Sequence, residues 1–113
     1  MALLLTIAAV HLALSAQADV PTSPSELFQR ARTAYAQGDS ATALTLMEKV
    51  VAAEPKNGDA LGWLGFLFLR SGDSAKAVPV LERALVLKPG SAEVTTNLAN
   101  ALQGLPTKTA AQQ

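Results

Sequence analysis

Apolar residues recur at intervals of three and four along most of the chain, the spacing that gathers them on one side of a helix. Leu27, Ala31 and Ala34 form one such row, and Leu44, Met47, Val50 and Val51 form the next. Gly38 and Gly72 stop two rows, while Pro55 and Pro89 lie just beyond two others; both residue types end helices. Ser23-Pro24-Ser25-Glu26 has the form of a capping box with proline at the first helical position, and Ser91 offers a comparable cap. The pattern predicts an all-α chain with helices near residues 24–37, 41–53, 58–70, 75–87 and 92–103. Pro79, inside the fourth of these, lacks one backbone donor and is expected to bend its first turn.

Two stretches stand outside this rhythm. Residues 2–14 are an apolar run followed by Ala16-Gln17-Ala18, a small-x-small site. Residues 1–18 therefore read as a secretory signal peptide cut before Asp19, although no Lys or Arg precedes the apolar run. The run is shorter than the ~20 residues a membrane span needs, so the other reading is a buried or membrane-resting helix. Export, to a periplasm or the outside, is the expectation that follows. At the other end Leu105-Pro106 and Thr107 to Gln113 show no periodicity, and residues 105–113 read as a flexible tail. Residues 19–23 serve as a linker.

Charge and composition narrow the chemistry. Nine basic residues balance nine acidic ones, whereas a nucleic-acid binder needs a surplus of Lys and Arg. There is no Cys, and the single His, His11, lies in the segment expected to be removed. The remaining chain then has no thiol nucleophile, no imidazole base, no Ser-His-Asp arrangement and no ordinary zinc ligand set. No pair of acids sits in an apolar stretch where burial would raise a pKa. The expectation is a non-enzyme that holds no cofactor and no metal.

Internal repetition is the strongest signal. Gly38-Asp39-Ser40-Ala41 returns as Gly72-Asp73-Ser74-Ala75, Ala43 as Ala77, Glu48 as Glu82 and Pro55 as Pro89, each after 34 residues. That is the period of a helix-turn-helix repeat, and the chain resembles the tetratricopeptide repeat family. The resemblance divides it into a first repeat at 24–57, a second at 58–91, and a capping helix at 92–104 that is the first half of a third repeat. The small positions of the first helices fall on Ala31, Gly65 and Ala99, and those of the second helices on Ala43 with Val50 and Ala77 with Ala84. Two helices approach to ~8–10 Å only where no long side chain stands between them. The family's aromatic near the start of helix one is replaced by Leu27 and Leu61, and the one past the turn by Ser40 and Ser74.

The resemblance implies a right-handed superhelix whose first helices line a concave face. On the family's concave positions stand Ser25, Phe28, Gln29, Arg32, Tyr35 and Ala36, then Asp59, Gly62, Trp63, Phe66, Leu69 and Arg70, then Glu93, Thr96, Asn97, Asn100 and Gln103. Aromatic residues and Arg are what partner-binding surfaces favour. The candidate partner-binding residues are therefore Phe28, Arg32, Tyr35, Trp63, Phe66, Leu69, Arg70, Asn97 and Asn100. The segment Leu61 to Leu69 is apolar on every face, as suits a helix packed between two units or one that also meets a partner. Family members that grip a C-terminal carboxylate do so with Lys and Asn, and Phe28 and Arg32 hold those places here. Two functions are compatible with this surface. One is an exported, non-catalytic module that binds a peptide or helix of another protein. The other is a self-associating subunit, a homodimer or part of a larger cell-envelope assembly, since fewer than three repeats bury little.

Overall fold

A computed structural model describes residues 23–106. The expected signal peptide, the linker up to residue 22 and the tail from Thr107 lie outside the described residues.

The described chain is helical from end to end. Helices α1 (Pro24–Ala36), α2 (Ser40–Ala53), α3 (Gly58–Arg70), α4 (Ser74–Leu87) and α5 (Ala92–Gly104) follow one another through short turns. Each starts at a side-chain cap that accepts from the amide three residues on: Ser23 from Glu26, Asp39 from Thr42, Asn57 from Ala60 and Asp73 from Lys76, all at 3.1 Å, and Ser91 from Val94 at 3.3 Å. These bonds supply acceptors to amides that a helix start leaves without an internal partner. Helices α2 and α4 begin one residue before the sequence expectation because Asp39 and Asp73, rather than Ser40 and Ser74, do the capping. Helix α4 continues through Pro79 to Leu87.

The turn inside each hairpin is built the same way twice. Gly38 and Gly72 have φ of +84° and +83°. The amide of Gly38 donates to Tyr35 O and that of Asp39 to Ala34 O; Gly72 and Asp73 donate likewise to Leu69 and Phe68. This is the Schellman pattern, in which a left-handed residue lets two amides reach back to the last turn. Asp39 and Asp73 thus close one helix with their amides and open the next with their carboxylates. One short turn reverses the chain, and α1 packs on α2 as α3 packs on α4.

Two cores result, and α3 belongs to both. Ala31 and Ala34 of α1, Ala43, Met47 and Val50 of α2, and Ala60, Leu64 and Leu67 of α3 form the first. Leu61 of α3 joins Ala77, Leu81 and Ala84 of α4 and Val94 and Ala101 of α5 in the second. Val51, Phe68 and Val80 touch both. A helix sandwiched in this way has few positions left for polar residues, which accounts for most of the apolar run from Leu61 to Leu69. Gly65 is buried where a Cβ would overlap Leu81, so the close approach predicted for the small positions is realised there. The architecture is the all-α helical repeat expected from the 34-residue period.

Candidate partner-binding hollow

The remaining face of α3 carries Trp63 and Phe66, three residues apart and both half-buried. They meet Tyr35 from the last turn of α1. The three rings form a closed triangle: Tyr35 to Phe66 at 5.4 Å, Tyr35 to Trp63 at 5.8 Å and Trp63 to Phe66 at 5.9 Å between centroids, with interplanar angles of 74°, 75° and 89°. Edge-to-face contact sets the positive edge of one ring against the negative face of another, and such pairs are worth about 0.5–1.5 kcal/mol beyond the area they bury. The rings therefore hold each other in place while keeping part of their surface open.

Beside this triangle lies a hollow of ≈ 340 Å³. Tyr35, Trp63 and Phe66 form one wall; Glu93, Val94 and Asn97 of α5 form the opposite one; Gly58, Asp59 and Gly62 lie along α3 between them, and Lys88 and Ser91 close one end. Gly62 lies close to α5, where an added Cβ would touch Val94 Cγ2 at 3.4 Å. At Gly58 the missing side chain leaves room for Lys88, whose Cγ would be 2.8 Å from an added Cβ. Lys88 so crosses the start of α3 and its ammonium pairs with Asp59. Both partners are exposed, and an ion pair in that setting contributes little to stability. It does neutralise one of the two acids on the rim and leaves Glu93 as the other.

Of the nine expected contact residues, Tyr35, Trp63, Phe66 and Asn97 come together around this hollow. Phe28 borders a separate recess with Pro24, Ser25, Gln29, Glu54, Asn57 and Asp59, adjoining the first through Asp59. Leu69 packs against the second core. Arg32, Arg70 and Asn100 are exposed and do not line the hollow. Sequence reasoning missed Gly58, Lys88, Ser91 and Val94, because the family's concave positions are counted on first helices alone and Lys88 and Ser91 belong to the connection between repeats. A signal was present: Lys88 stands where the first repeat has Glu54, so the charge at that turn reverses between units.

Among the described residues no group of His, Cys, Asp and Glu is placed to hold a metal ion, and no helix is long and apolar enough to cross a membrane. One pKa shift stands out, and it lies outside the hollow. Asp39 is held below the usual carboxylate value, first by the side chain and then by the backbone amide of Thr42.

Comparison with known proteins agrees with a helical repeat fold. A profile described as tetratricopeptide repeat matches residues 28–92. Cellulose synthase operon protein C of Escherichia coli strain K12 is 37% identical over 84 residues, a match that covers 68% of this chain and 7% of that protein. The putative cellulose synthase operon protein C of Escherichia coli O157:H7 matches to the same extent. The chain thus spans a small fraction of the length of the curated relatives it matches.

Proposed function

The chain belongs to the tetratricopeptide repeat family, and from that premise we propose that it is an exported, non-catalytic binding module that takes an extended peptide or a helix of another protein in the hollow between α3 and α5. The observation that carries this reading is the triangle of Tyr35, Trp63 and Phe66, half-buried and bordering a hollow large enough for one or two side chains. Preformed aromatic surface binds with little loss of side-chain freedom, which is why Trp and Tyr dominate interface energetics. An apolar side chain of the partner fills the space against Trp63 and Phe66. The Asn97 amide, at the wall of the hollow, supplies a donor and an acceptor for the partner's backbone.

Export rests on the apolar run and small-x-small site of residues 2–18. N-terminal sequencing of protein recovered outside the cytoplasm should begin at Asp19; an uncleaved Met1 would remove this part of the proposal. The name shared by the two relatives makes proteins encoded with a cellulose synthase the first partners to test.

The groove is tested with a photo-crosslinking residue placed at Asn97 and, separately, at Lys49, exposed on α2 and outside the hollow. A partner captured from position 97, absent from position 49, and lost in the Trp63→Ala, Phe66→Ala double variant with helicity retained is the expected result. Capture that survives the double variant overturns the hollow as the binding face.

A further inference from the structure

We infer that the side chain taken into the hollow is that of an arginine or lysine, its apolar stem against Trp63 and Phe66 and its cation drawn to Glu93 on the opposite wall. This rests on the reading of the hollow as the binding face and narrows what the partner presents there.

Two independent features of the walls favour a cation. The first is the aromatic triangle. Its ring centroids lie 5.4–5.9 Å apart, so a single group placed before the centre of the triangle is within reach of all three, a ring attracting a cation out to ~6 Å from its centroid. The fold already uses this contact elsewhere, where Lys76 Nζ stands 5.8 Å from the centroid of Phe68.

The second feature is the balance of charge. Asp59, Glu93 and Lys88 line the hollow, two carboxylates to one ammonium. Lys88 pairs with Asp59, so the cation that the chain itself supplies is engaged by the acid beside it. Glu93 has no ion pair among the described residues. Arg32 and Arg70, which the family register assigns to the same side, do not line the hollow. An uncharged occupant would take water from Glu93 without replacing it, and an unpaired carboxylate resists that loss. A long basic side chain meets both walls, because its methylene stem is apolar and its head is charged. Arginine suits the place better than lysine, since a planar guanidinium stacks on a ring and offers two parallel donors to a carboxylate.

Glu93 also stands in the first turn of α5, where the helix dipole favours an acid. That role concerns its own helix and is separable, because it does not depend on what the partner carries.

The test uses the full chain and three blocked heptapeptides of alanine and glycine that differ at the central residue, which is arginine, its neutral isostere citrulline, or norleucine. Trp63 is the single tryptophan, so its fluorescence reports the hollow directly. The arginine peptide should bind about tenfold more tightly than either neutral one. Glu93→Gln should remove most of that preference and leave the affinity for the norleucine peptide unchanged. A role confined to the helix would instead lower the melting temperature and change all three affinities alike, which overturns the inference. Equal binding of the arginine and norleucine peptides, lost in Trp63→Ala when read by calorimetry, overturns the cation and keeps the hollow as the binding face. No response of Trp63 to any of the three overturns both. A concentration-dependent dimer abolished by Glu93→Gln assigns the hollow to a second copy and overturns the partner, as does binding seen only after residues 107–113, with Lys108, are deleted.

Discussion

Gly65 and Leu81 face each other across the second hairpin so closely that a methyl group on the glycine would overlap Leu81 Cγ and Cδ2. Thirty-four residues earlier the same two places hold Ala31 and Met47, both buried in the first core. The pairs differ in where bulk sits: leucine branches at Cγ, near its backbone, and methionine does not. Gly65→Ala should therefore cost roughly 1–3 kcal/mol by overpacking, even though alanine favours helix by ~1 kcal/mol over glycine. Adding Leu81→Met recreates the first repeat's pair and should recover most of that loss. Urea midpoints of the two variants decide it, and a stabilised Gly65→Ala would mean that the hairpin has slack at this crossing.

The glycines of the turns act through backbone conformation instead. Gly38 and Gly72 lie at positive φ with open space where a Cβ would go. Either one changed to alanine should lose about 1–2 kcal/mol, the cost of placing an L residue in the left-handed region. Gly90 also has open space but no positive φ, and Gly90→Ala should shift the thermal midpoint far less.

A pH dependence follows from Asp39. Its carboxylate accepts from Thr42, which lowers its folded pKa below the ordinary 3.8. A depressed carboxylate stabilises the fold above its unfolded pKa, and that contribution is lost as pH falls through the folded value. The cap on α2 should accordingly weaken between about pH 5 and pH 2, while Asp39→Asn retains a neutral cap throughout. Thermal melts across this window should converge for wild type and variant at the acid end and separate toward neutrality. Parallel curves would show that Asp39 carries none of the acid sensitivity.

Pro79 offers a gain rather than a loss. It is exposed within α4 and has no amide hydrogen to give the carbonyl of Ala75. Pro79→Ala restores that bond and should raise stability by at least ~1 kcal/mol, toward the ~3 kcal/mol that an interior proline costs. A drop in the denaturation midpoint would show that the ring contributes packing not replaced by a methyl group.

The extent to which the sequence discloses this molecule follows from how local the determinants are. Helix limits are legible to within a residue because caps such as Ser23 and stop signals such as Gly38 act over three or four positions. The double role of Asp39 and Asp73 is less visible, since the sequence shows a Gly-Asp-Ser turn but not that the aspartate serves both helices at once. At the hollow, the wall made by first helices is foreseen from the family's concave positions: Tyr35, Trp63, Phe66 and Asn97 all lie on first helices, and Asn97 follows Trp63 by 34 residues. Lys88 does not, because its place over Gly58 depends on how the connection between repeats folds back onto α3. Arg32 and Arg70 illustrate the reverse case, for long flexible side chains on the expected helices are free to extend into water rather than toward the hollow.

The aromatic triangle separates packing from recognition. Phe66 is a member of the first core's outer layer and also a wall of the hollow. Phe66→Leu preserves most of its buried area but ends both edge-to-face contacts, so it should cost about 1–2 kcal/mol, change the near-ultraviolet circular dichroism of Trp63 and leave the far-ultraviolet spectrum unchanged. Tyr35→Phe keeps the ring contacts and removes the hydroxyl, and it should leave stability within ~0.5 kcal/mol. If the hollow binds a partner, the two variants part company: Phe66→Leu should weaken capture by tenfold or more, because the ring that positions Trp63 is gone, while Tyr35→Phe changes it little unless the hydroxyl meets the partner directly. Equal retention of capture in Phe66→Leu and in Trp63→Ala would leave the triangle with a structural role alone.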